Sequence, residues 1–255
     1  MIVREHDGHF VMIEQNNHAI ISGELMANWK DSLFLGKAHR KSVNYAIKMH
    51  DYGWKYFDKQ PLWNDQTNKP YTFSDFPISP KTIVYTHGIN EIEKNDIYAA
   101  LLCSEHFSRF IAQESSSHAS RFIEEEKERR QRLIASLGEL NKRLFNFHYD
   151  LLKLGDSLSL YLCLNEPGVT KEDVHFFFRN GIDLPSDIDQ LSKQVLEPEW
   201  KDEHTIVLSP FPFESSVTVR IKQKVVSKTV IRKHGLVHSY ENTPYEELEL
   251  EIIPN

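Results

Sequence analysis

Residues 48–58 read KMHDYGWKYFD, and the adjacent His50 and Asp51 are the most informative feature of this stretch. Ala46 and Ile47 precede them at helical spacing, which places the pair near the end of an amphipathic helix. An imidazole beside a carboxylate offers two adjacent ligands that suit Fe, Mn, Zn and similar divalent metals. A His-Asp dipeptide is frequent by chance, so its meaning depends on what the rest of the chain supplies.

Two further segments place a metal ligand on helices before and after this pair. His18 lies near the start of the first predicted helix and puts a single imidazole on that element. Residues 151–165, LLKLGDSLSLYLCLN, hold Asp156 alone in an otherwise apolar helix. A carboxylate that faces a core without compensation costs several kcal/mol, and a metal ion would compensate it. The predicted ligand order is therefore His18, then His50 and Asp51, then Asp156.

This order resembles that of the HD superfamily, and residues 4–29 resemble the opening of an uncharacterised bacterial HD-related family of unknown function. The resemblance spans about residues 1–165 and implies a helical fold around one or two divalent metal ions, Fe, Mn, Zn or Mg. In binuclear members it implies two further histidines, for which this chain offers His87 and His106. The metal ligands implied by the resemblance are His18, His50, Asp51, His87, His106 and Asp156.

Three residues near these ligands are candidates for supporting the site or contacting a substrate. Gln15 lies one turn before His18 and could hydrogen-bond a ligand, with helix capping or surface exposure as alternatives. Trp54 could form a pocket wall, although a tryptophan at such a position more often belongs to the core. Many members of the HD superfamily that cleave phosphates have the motif His-Asp-x-Gly-Lys. In this chain the lysine, Lys55, follows one position later. This shift counts against a lysine that holds a phosphate group.

Three functions from different classes follow from these residues. The preferred one is a metal-dependent hydrolase of a phosphate ester or nucleotide, with Asp51 positioning a metal-activated water. The second is a di-iron oxygenase that cleaves a small polar substrate. The third is a binding or regulatory protein that keeps the helical shell without catalysis. Metal identity separates the first two, since iron favours the oxygenase and Mn, Mg or Zn favours the hydrolase.

Composition and charge limit the partners and the location. The 255-residue chain has a formal net charge of -7, so we expect no general nucleic-acid binding. Its apolar segments are too short for a membrane span, and its start lacks the apolar core of a secretory signal. Cys103 and Cys163 lie in apolar runs, which favours buried free thiols and a reducing compartment. We expect a cytoplasmic protein that acts on a small-molecule substrate. In the preferred hydrolase hypothesis this substrate carries a phosphate group.

The hydrophobic pattern predicts a mainly α fold, an all-α HD-type bundle that carries only a small antiparallel sheet. Residues 1–13 alternate around an Asp-Gly dipeptide, which is typical of a hairpin. Helical spacing then dominates, with a break or bend near Gly138 and again near Gly155. The proline-rich residues 59–80 predict a long loop.

After about Glu197 apolar and polar residues alternate, as in half-buried antiparallel strands, and these strands could pair with the N-terminal hairpin. We therefore divide the chain into residues 1–196, an HD-type helical metal-binding domain with the hairpin, and residues 197–255, a β-rich accessory segment of the same globule. About sixty residues of β-structure are marginal on their own. The alternative role for this segment is the interface of a homodimer.

Overall fold

Helical spacing of apolar residues builds one part of the molecule in the computed structural model, which describes residues 1–186, 188 and 194–255. Its helices are α1 (Gln15–Ala27), α2 (Arg40–Met49), α3 (Ile78–Glu93), α4 (Ile97–Ile111), α5 (Ser117–Leu137) and α6 (Lys142–Leu164). Several begin at a polar side chain that accepts a hydrogen bond from the first turn. Asp96 does so for α4, Ser116 for α5 and Asn141 for α6.

Alternating apolar and polar residues build the other part, which is a sheet. The strands are β1 (Ile2–Glu5), β2 (His9–Ile13), β3 (Trp63–Asn64), β4 (Lys69–Pro70), β5 (Ile182–Asp183), β6 (Val195–Trp200), β7 (Thr205–Ser209), β8 (Val217–Ser227) and β9 (Glu246–Pro254). Within the described residues, β3 and β4 form a hairpin of their own and the other seven form one sheet in the order β1-β2-β8-β9-β7-β6-β5.

The strand β9 lies in the middle of this sheet although it comes last in the chain. It pairs antiparallel with β8 and parallel with β7, and the short helices α7 (Lys228–His234) and α8 (Leu236–Asn242) connect β8 to it. The side chains of Val219, Ile221, Leu250 and Ile252 are buried on one face, with polar residues between them. α1 packs against β8 on one side and against α2 and α6 on others, so it links the sheet to the helices.

The prediction of a mainly α fold with a small antiparallel sheet is wrong. About 51% of the residues are helical and 19% lie in strands of a large, curled, mixed sheet, which makes this an α/β fold and not an all-α bundle. Four strands were not predicted: β3 and β4 lie in the segment predicted as a long loop, β5 has only two residues, and β6 (VLEPEW) carries a proline and two glutamates. The parallel pairing of β7 with β9 left no local signal, since it joins segments separated by β8, α7 and α8.

The pairing of the C-terminal strands with the N-terminal hairpin is present, since Val11 of β2 lies opposite Val225 of β8. The proposed boundary at residue 196 falls inside β6. The strands on both sides of that boundary therefore share one sheet, and a division of the chain there stays a prediction.

Gly155 does not break the last long helix, because α6 continues through it. A Cβ atom at this position would lie 2.7 Å from Cγ of Met26 and 2.8 Å from Oγ of Ser22, both on α1. The glycine therefore serves close packing of α6 on α1. The break at Gly138 is present, and this residue has a φ of 82° just after α5.

Two expectations from composition can be compared with the structure. Cys103 and Cys163 are buried free thiols, as predicted. Among the residues that are described, no helix combines the length and the apolar character needed to cross a membrane.

Candidate metal centre

Four helices bring histidine and aspartate side chains to one buried point. His18 lies in the first turn of α1, and His50 and Asp51 directly follow the end of α2. His106 comes from α4 and Asp156 from the middle of α6. His18, His50 and Asp51 are at most 4% exposed, and the side chain of Asp156 is 18% exposed. The packing of these helices therefore assembles residues that are up to 138 positions apart (156 minus 18).

The ligand atoms of these five residues lie within a few ångströms of one another. Nε2 of His18 is 2.8 Å from Oδ2 of Asp51 and 3.8 Å from Oδ1 of Asp156. Nε2 of His50 is 3.7 Å and 3.5 Å from the same two oxygen atoms. Nε2 of His106 is 3.6 Å from Oδ2 of Asp156. The structure thus brings together five of the six ligands predicted from the sequence.

The hydrogen bonds of His18 decide which of its nitrogen atoms faces the carboxylates. The hydroxyl of Ser159 donates its single proton to the backbone carbonyl of Asp156, at 2.9 Å. Its oxygen therefore accepts from Nδ1–H of His18, at 2.8 Å. In the neutral ring this leaves a lone pair on Nε2, which lies 2.8 Å from Oδ2 of Asp51. A cation between the two groups would satisfy both.

His50 is oriented in the same way by a different acceptor. Its Nδ1–H donates to the backbone carbonyl of Ile47 at 2.8 Å, and its buried Nε2 has no hydrogen-bond partner among the described residues. Burial opposes the charged form of this ring, but the charges of Asp51 and Asp156 outweigh burial and raise the pKa of His50 to about 9. In the metal-free site a proton therefore occupies the place where the carboxylates attract a cation.

His106 and Asp156 respond to burial in opposite directions. Burial lowers the pKa of His106 to about 4, so this imidazole is neutral, and its Nδ1 is buried without a described partner. Burial alone would raise the pKa of Asp156, but the protonated His50, whose Nε2 lies 3.5 Å from Oδ1 of Asp156, holds it well below its usual range. The carboxylate on α6 is therefore ionised, although it is largely buried.

This set of side chains fits a divalent metal. One ligand atom each from His18, His50 and Asp51 lie within 4.8 Å of one another. Atoms bonded to a single ion at about 2.1 Å would lie roughly 3–3.5 Å apart, so small adjustments would suffice. The ion pairs that the structure describes for Asp51 and Asp156 are all with histidine, so without a metal the protonated His50 is the main counter-charge of two largely buried carboxylates, and a divalent cation would replace its proton.

Gln15 supports the aspartate of the His-Asp pair. Its Nε2 donates to Oδ2 of Asp51 at 3.0 Å, and its own backbone N–H donates to Oδ2 of Asp58 at 2.6 Å. The remaining side-chain atom, Oε1 of Gln15, is buried and has no partner among the described residues. Of the roles considered for Gln15, the hydrogen bond to a ligand is the one the structure contains.

A second group of charged residues fixes the start of α1. The buried carboxylate of Glu14 accepts from Nζ of Lys59 at 2.8 Å, from the hydroxyl of Tyr240 at 3.0 Å and from the hydroxyl of Tyr245. These contacts join the N-terminus of α1 to the segment that follows Asp51 and to the chain in and after α8. The C-terminal segment therefore holds the element that carries the first metal ligand.

His87 is the predicted ligand that the structure does not bring to this point. It lies on α3, half-buried, with its ring centroid 6.5 Å from that of Tyr52. It lines a groove between α3 and α5 together with His118 and Arg121, and this groove has no lining residue in common with the metal ligands. Its role as a ligand stays a prediction from the sequence alone.

The other two candidates near the His-Asp pair lie outside the cluster. Trp54 is 2% exposed and packs edge-on against Phe76 and Tyr85, so it is a core residue. Nζ of Lys55 lies 5.2 Å from the ring centroid of Tyr52, in a cation–π contact. The backbone N–H of Trp54 donates to the backbone carbonyl of Asp51 at 3.1 Å. The structure describes no contact of the Trp54 or Lys55 side chain with the metal ligands.

A pocket of about 450 Å³ borders the most exposed of the ligands. Asp156 shares its wall with Lys153 and Ser157 of α6, and the segment after α6 closes it with Phe177, Asn180 and other residues. Because Asp156 is more exposed than the other carboxylate, this pocket is the described route by which a small molecule could reach the cluster.

Three of the residues that shape the site were missed in the sequence. Ser159 comes one turn after Asp156 in an apolar helix, and a polar residue at that spacing was an available signal. Glu14 and Asp58 flank the predicted ligands, but only the folded chain shows that they hold the backbone of α1. Their partners lie 43 or more positions away, beyond the reach of local patterns.

Comparison with known proteins identifies one family. Residues 1–228 match the model of DUF3891, which is described as a protein of unknown function. A comparison with curated proteins and one with solved structures gave no match. These findings give no support to an HD domain or to a hydrolase, so both stay predictions drawn from the residues.

Proposed function

The chain belongs to the DUF3891 family, and we propose that it is a metal-dependent hydrolase that cleaves phosphate esters of small molecules. The observation that carries the proposal is the orientation of two histidines. His18 and His50 each donate Nδ1–H to an oxygen acceptor and aim Nε2 at the buried carboxylates of Asp51 and Asp156. Histidines that bind metals are held in this way, because the bond at one nitrogen fixes the lone pair of the other.

The side chains around the ligands keep the donor set rigid and dry. A divalent metal in such a site supplies Lewis acidity and lowers the pKa of a water molecule so that it can attack a phosphoryl group. Asp51 accepts a hydrogen bond from Nε2 of Gln15, which restrains the orientation of its carboxylate.

The pocket beside Asp156 favours a phosphate ester that carries an organic group. Lys153 lies one turn before Asp156 on α6 and lines the pocket, with its Nζ 3.3 Å from Oδ1 of Asp150. Phe177 is 49% exposed and offers an aromatic surface to the organic part, as a nucleobase would require.

We propose one metal and not two. The predicted second metal required His87 together with His106 and Asp51, and His87 lies on the groove between α3 and α5. His106 alone adds one nitrogen to the four ligands that converge. This also makes the di-iron oxygenase the less favoured alternative.

The test begins with the metal content of the protein, measured by elemental mass spectrometry without a histidine tag. We expect about one divalent metal per chain, and release of phosphate from p-nitrophenyl phosphate or from nucleotides. The variants Asp51→Asn and His18→Gln should lose the metal and the activity together, while their circular dichroism stays that of a folded protein.

Matched controls make this test specific. Asp65→Asn and His118→Gln carry the same changes at exposed positions away from the cluster and should keep both metal and activity. His87→Gln should also keep the metal. A folded wild-type protein that takes up no metal from Mn²⁺, Zn²⁺, Fe²⁺ or Mg²⁺ solutions would exclude the proposal, and metal uptake without phosphate release would exclude the hydrolase.

A further inference from the structure

A second cavity, of about 520 Å³, lies on another part of the molecule. Three elements form it: the N-terminal hairpin with Glu5 and Phe10, the β3–β4 hairpin with Trp63, and the corner between α7 and α8. Cavities of this size commonly admit a small organic molecule. None of its described lining residues belongs to the metal centre or to the pocket beside Asp156.

The walls of this cavity are largely apolar and well fixed. Phe10 is buried, and Trp63 meets it edge-on with ring centroids 6.3 Å apart. Ile231 of α7 and Leu236 of α8 belong to the same small hydrophobic cluster as Phe10 and form another wall. A rigid apolar cavity binds an apolar body with little cost in conformational entropy.

The rim of the cavity carries an excess of positive charge. Lys228 and Arg232 lie one turn apart on α7, and both line the cavity. The single carboxylate there, Glu5, accepts from Nζ of Lys228 at 2.7 Å and also pairs with Lys69. Arg232 is exposed, and its described hydrogen bond goes to the uncharged hydroxyl of Thr229 at 3.2 Å.

Local charge and apolar surface together define the ligand. The whole chain has a formal net charge of -7. At this cavity two lysines pair with one glutamate and an arginine lies beside them, so the local charge is positive. We propose that this cavity binds a small organic anion, with its apolar body against Trp63 and Phe10 and its anionic group near Arg232. The proposal is independent of the metal centre and of the hydrolase.

The probe for this site is 1-anilinonaphthalene-8-sulfonate, an aromatic anion whose fluorescence rises in an apolar environment. Titration of the full chain should show one saturable site. Arg232→Glu should weaken binding at least about tenfold, which corresponds to about 1.4 kcal/mol. Trp63→Ala should weaken it similarly, and the exposed position of Arg232 makes the first variant safe for folding.

Two controls separate this cavity from the rest of the surface. Lys233→Glu changes the same charge on the same helix at a residue that does not line the cavity, and should bind the probe as the wild type does. Phe177→Ala, in the pocket beside Asp156, should also leave binding unchanged. Decanoate should displace the probe, and decylamine, with the opposite charge, should not.

Three results would overturn the proposal. The first is probe binding by Arg232→Glu that equals that of Lys233→Glu. The second is loss of binding in Phe177→Ala, which would assign the probe to the other pocket. The third is equal displacement by decanoate and decylamine, which would mean that charge plays no part.

Discussion

Two buried histidines on the same side of the molecule show how hydrogen bonds separate a structural imidazole from a candidate ligand. His148 on α6 donates Nε2–H to the carbonyl of Leu35 at 2.8 Å and accepts at Nδ1 from the hydroxyl of Tyr98 at 2.7 Å. Both nitrogen atoms are satisfied by neutral groups. In contrast, Nε2 of His18 faces a carboxylate. Both rings are fully buried, so burial does not distinguish them. They differ in their hydrogen-bond partners.

The neutral state of His148 predicts a pH dependence of stability. Burial lowers the pKa of His148 to about 4, whereas the unfolded chain titrates near 6.5. As the pH falls from about 6.5 towards 4, the unfolded chain binds a proton that the folded chain does not, so this residue lowers the free energy of unfolding by up to about 1.4 kcal/mol per pH unit.

Urea unfolding of wild type and His148→Gln at pH 7, 6 and 5 checks this. The variant should be less stable at pH 7 but should lose less stability as the pH falls. The exposed His118→Gln should follow the wild type. Parallel pH curves for wild type and His148→Gln would contradict the assigned neutral state.

Ser159 gives a second prediction at the level of single residues. Ser159→Ala removes the acceptor of Nδ1–H of His18, so the ring loses its fixed orientation. Loss of such a supporting hydrogen bond typically weakens metal binding about 10- to 100-fold. Titration against a competing chelator measures the effect, with Ser136→Ala on α5 as the control. An unchanged affinity in Ser159→Ala would mean that the hydroxyl does not orient His18.

Single residues also mark the limit of what could be predicted. Four of the five converging ligands were found from their order and from the isolation of Asp156 in an apolar helix, and His106 was added because the resemblance implied two further histidines. His87 was included because the resemblance asked for a histidine, and not because its surroundings did. Orientation of the rings depends on Ser159 and on the carbonyl of Ile47, which a sequence pattern does not reveal.

At the scale of elements, the contact between α1 and α6 sets the distance between the ligands that they carry. Gly155 lies next to Asp156 and allows α6 to approach Met26 and Ser22 of α1. The spacing of apolar residues located both helices in the sequence. The glycine was interpreted as a helix break, because a pattern along one helix does not show which neighbour requires the missing side chain.

Gly155→Ala tests this contact. The added methyl group would lie 2.7 Å from Cγ of Met26, so the helices must separate, and we expect a loss of about 1–3 kcal/mol in the free energy of unfolding. Metal affinity should fall as well, because His18 and Asp156 move apart. Gly8→Ala is the control, since no atom lies within 4 Å of a Cβ built there. Equal stability and metal affinity in both variants would contradict the tight contact.

At the scale of the whole molecule, the sheet unites the two ends of the chain. The family match ends at residue 228, yet β9 lies beyond it and occupies the centre of the sheet between β8 and β7. Alternation along ELELEIIP predicted the strand itself. Its neighbours could not be predicted, because pairing partners are chosen by packing over long separations and not by local sequence.

The central place of β9 leads to a prediction about stability. Leu250→Ala removes a fully buried side chain and should lower the free energy of unfolding by about 2–5 kcal/mol. Glu251→Ala changes the next residue on the exposed face and should have little effect. Urea denaturation of the two variants measures the contrast. A cost below about 1 kcal/mol for Leu250→Ala would mean that β9 is peripheral to the fold.

The late position of β9 in the chain also constrains how the protein is made. During synthesis β8 and β7 emerge before the strand that joins them, so each presents an unpaired edge to its surroundings for a time. The sheet closes only after β9 has been synthesised and has entered between β8 and β7. A nascent chain stalled before β9 would therefore have two strands with unpaired backbone N–H and C=O groups. Such edges are prone to aggregation, and we expect this intermediate to need chaperones until β9 has been synthesised.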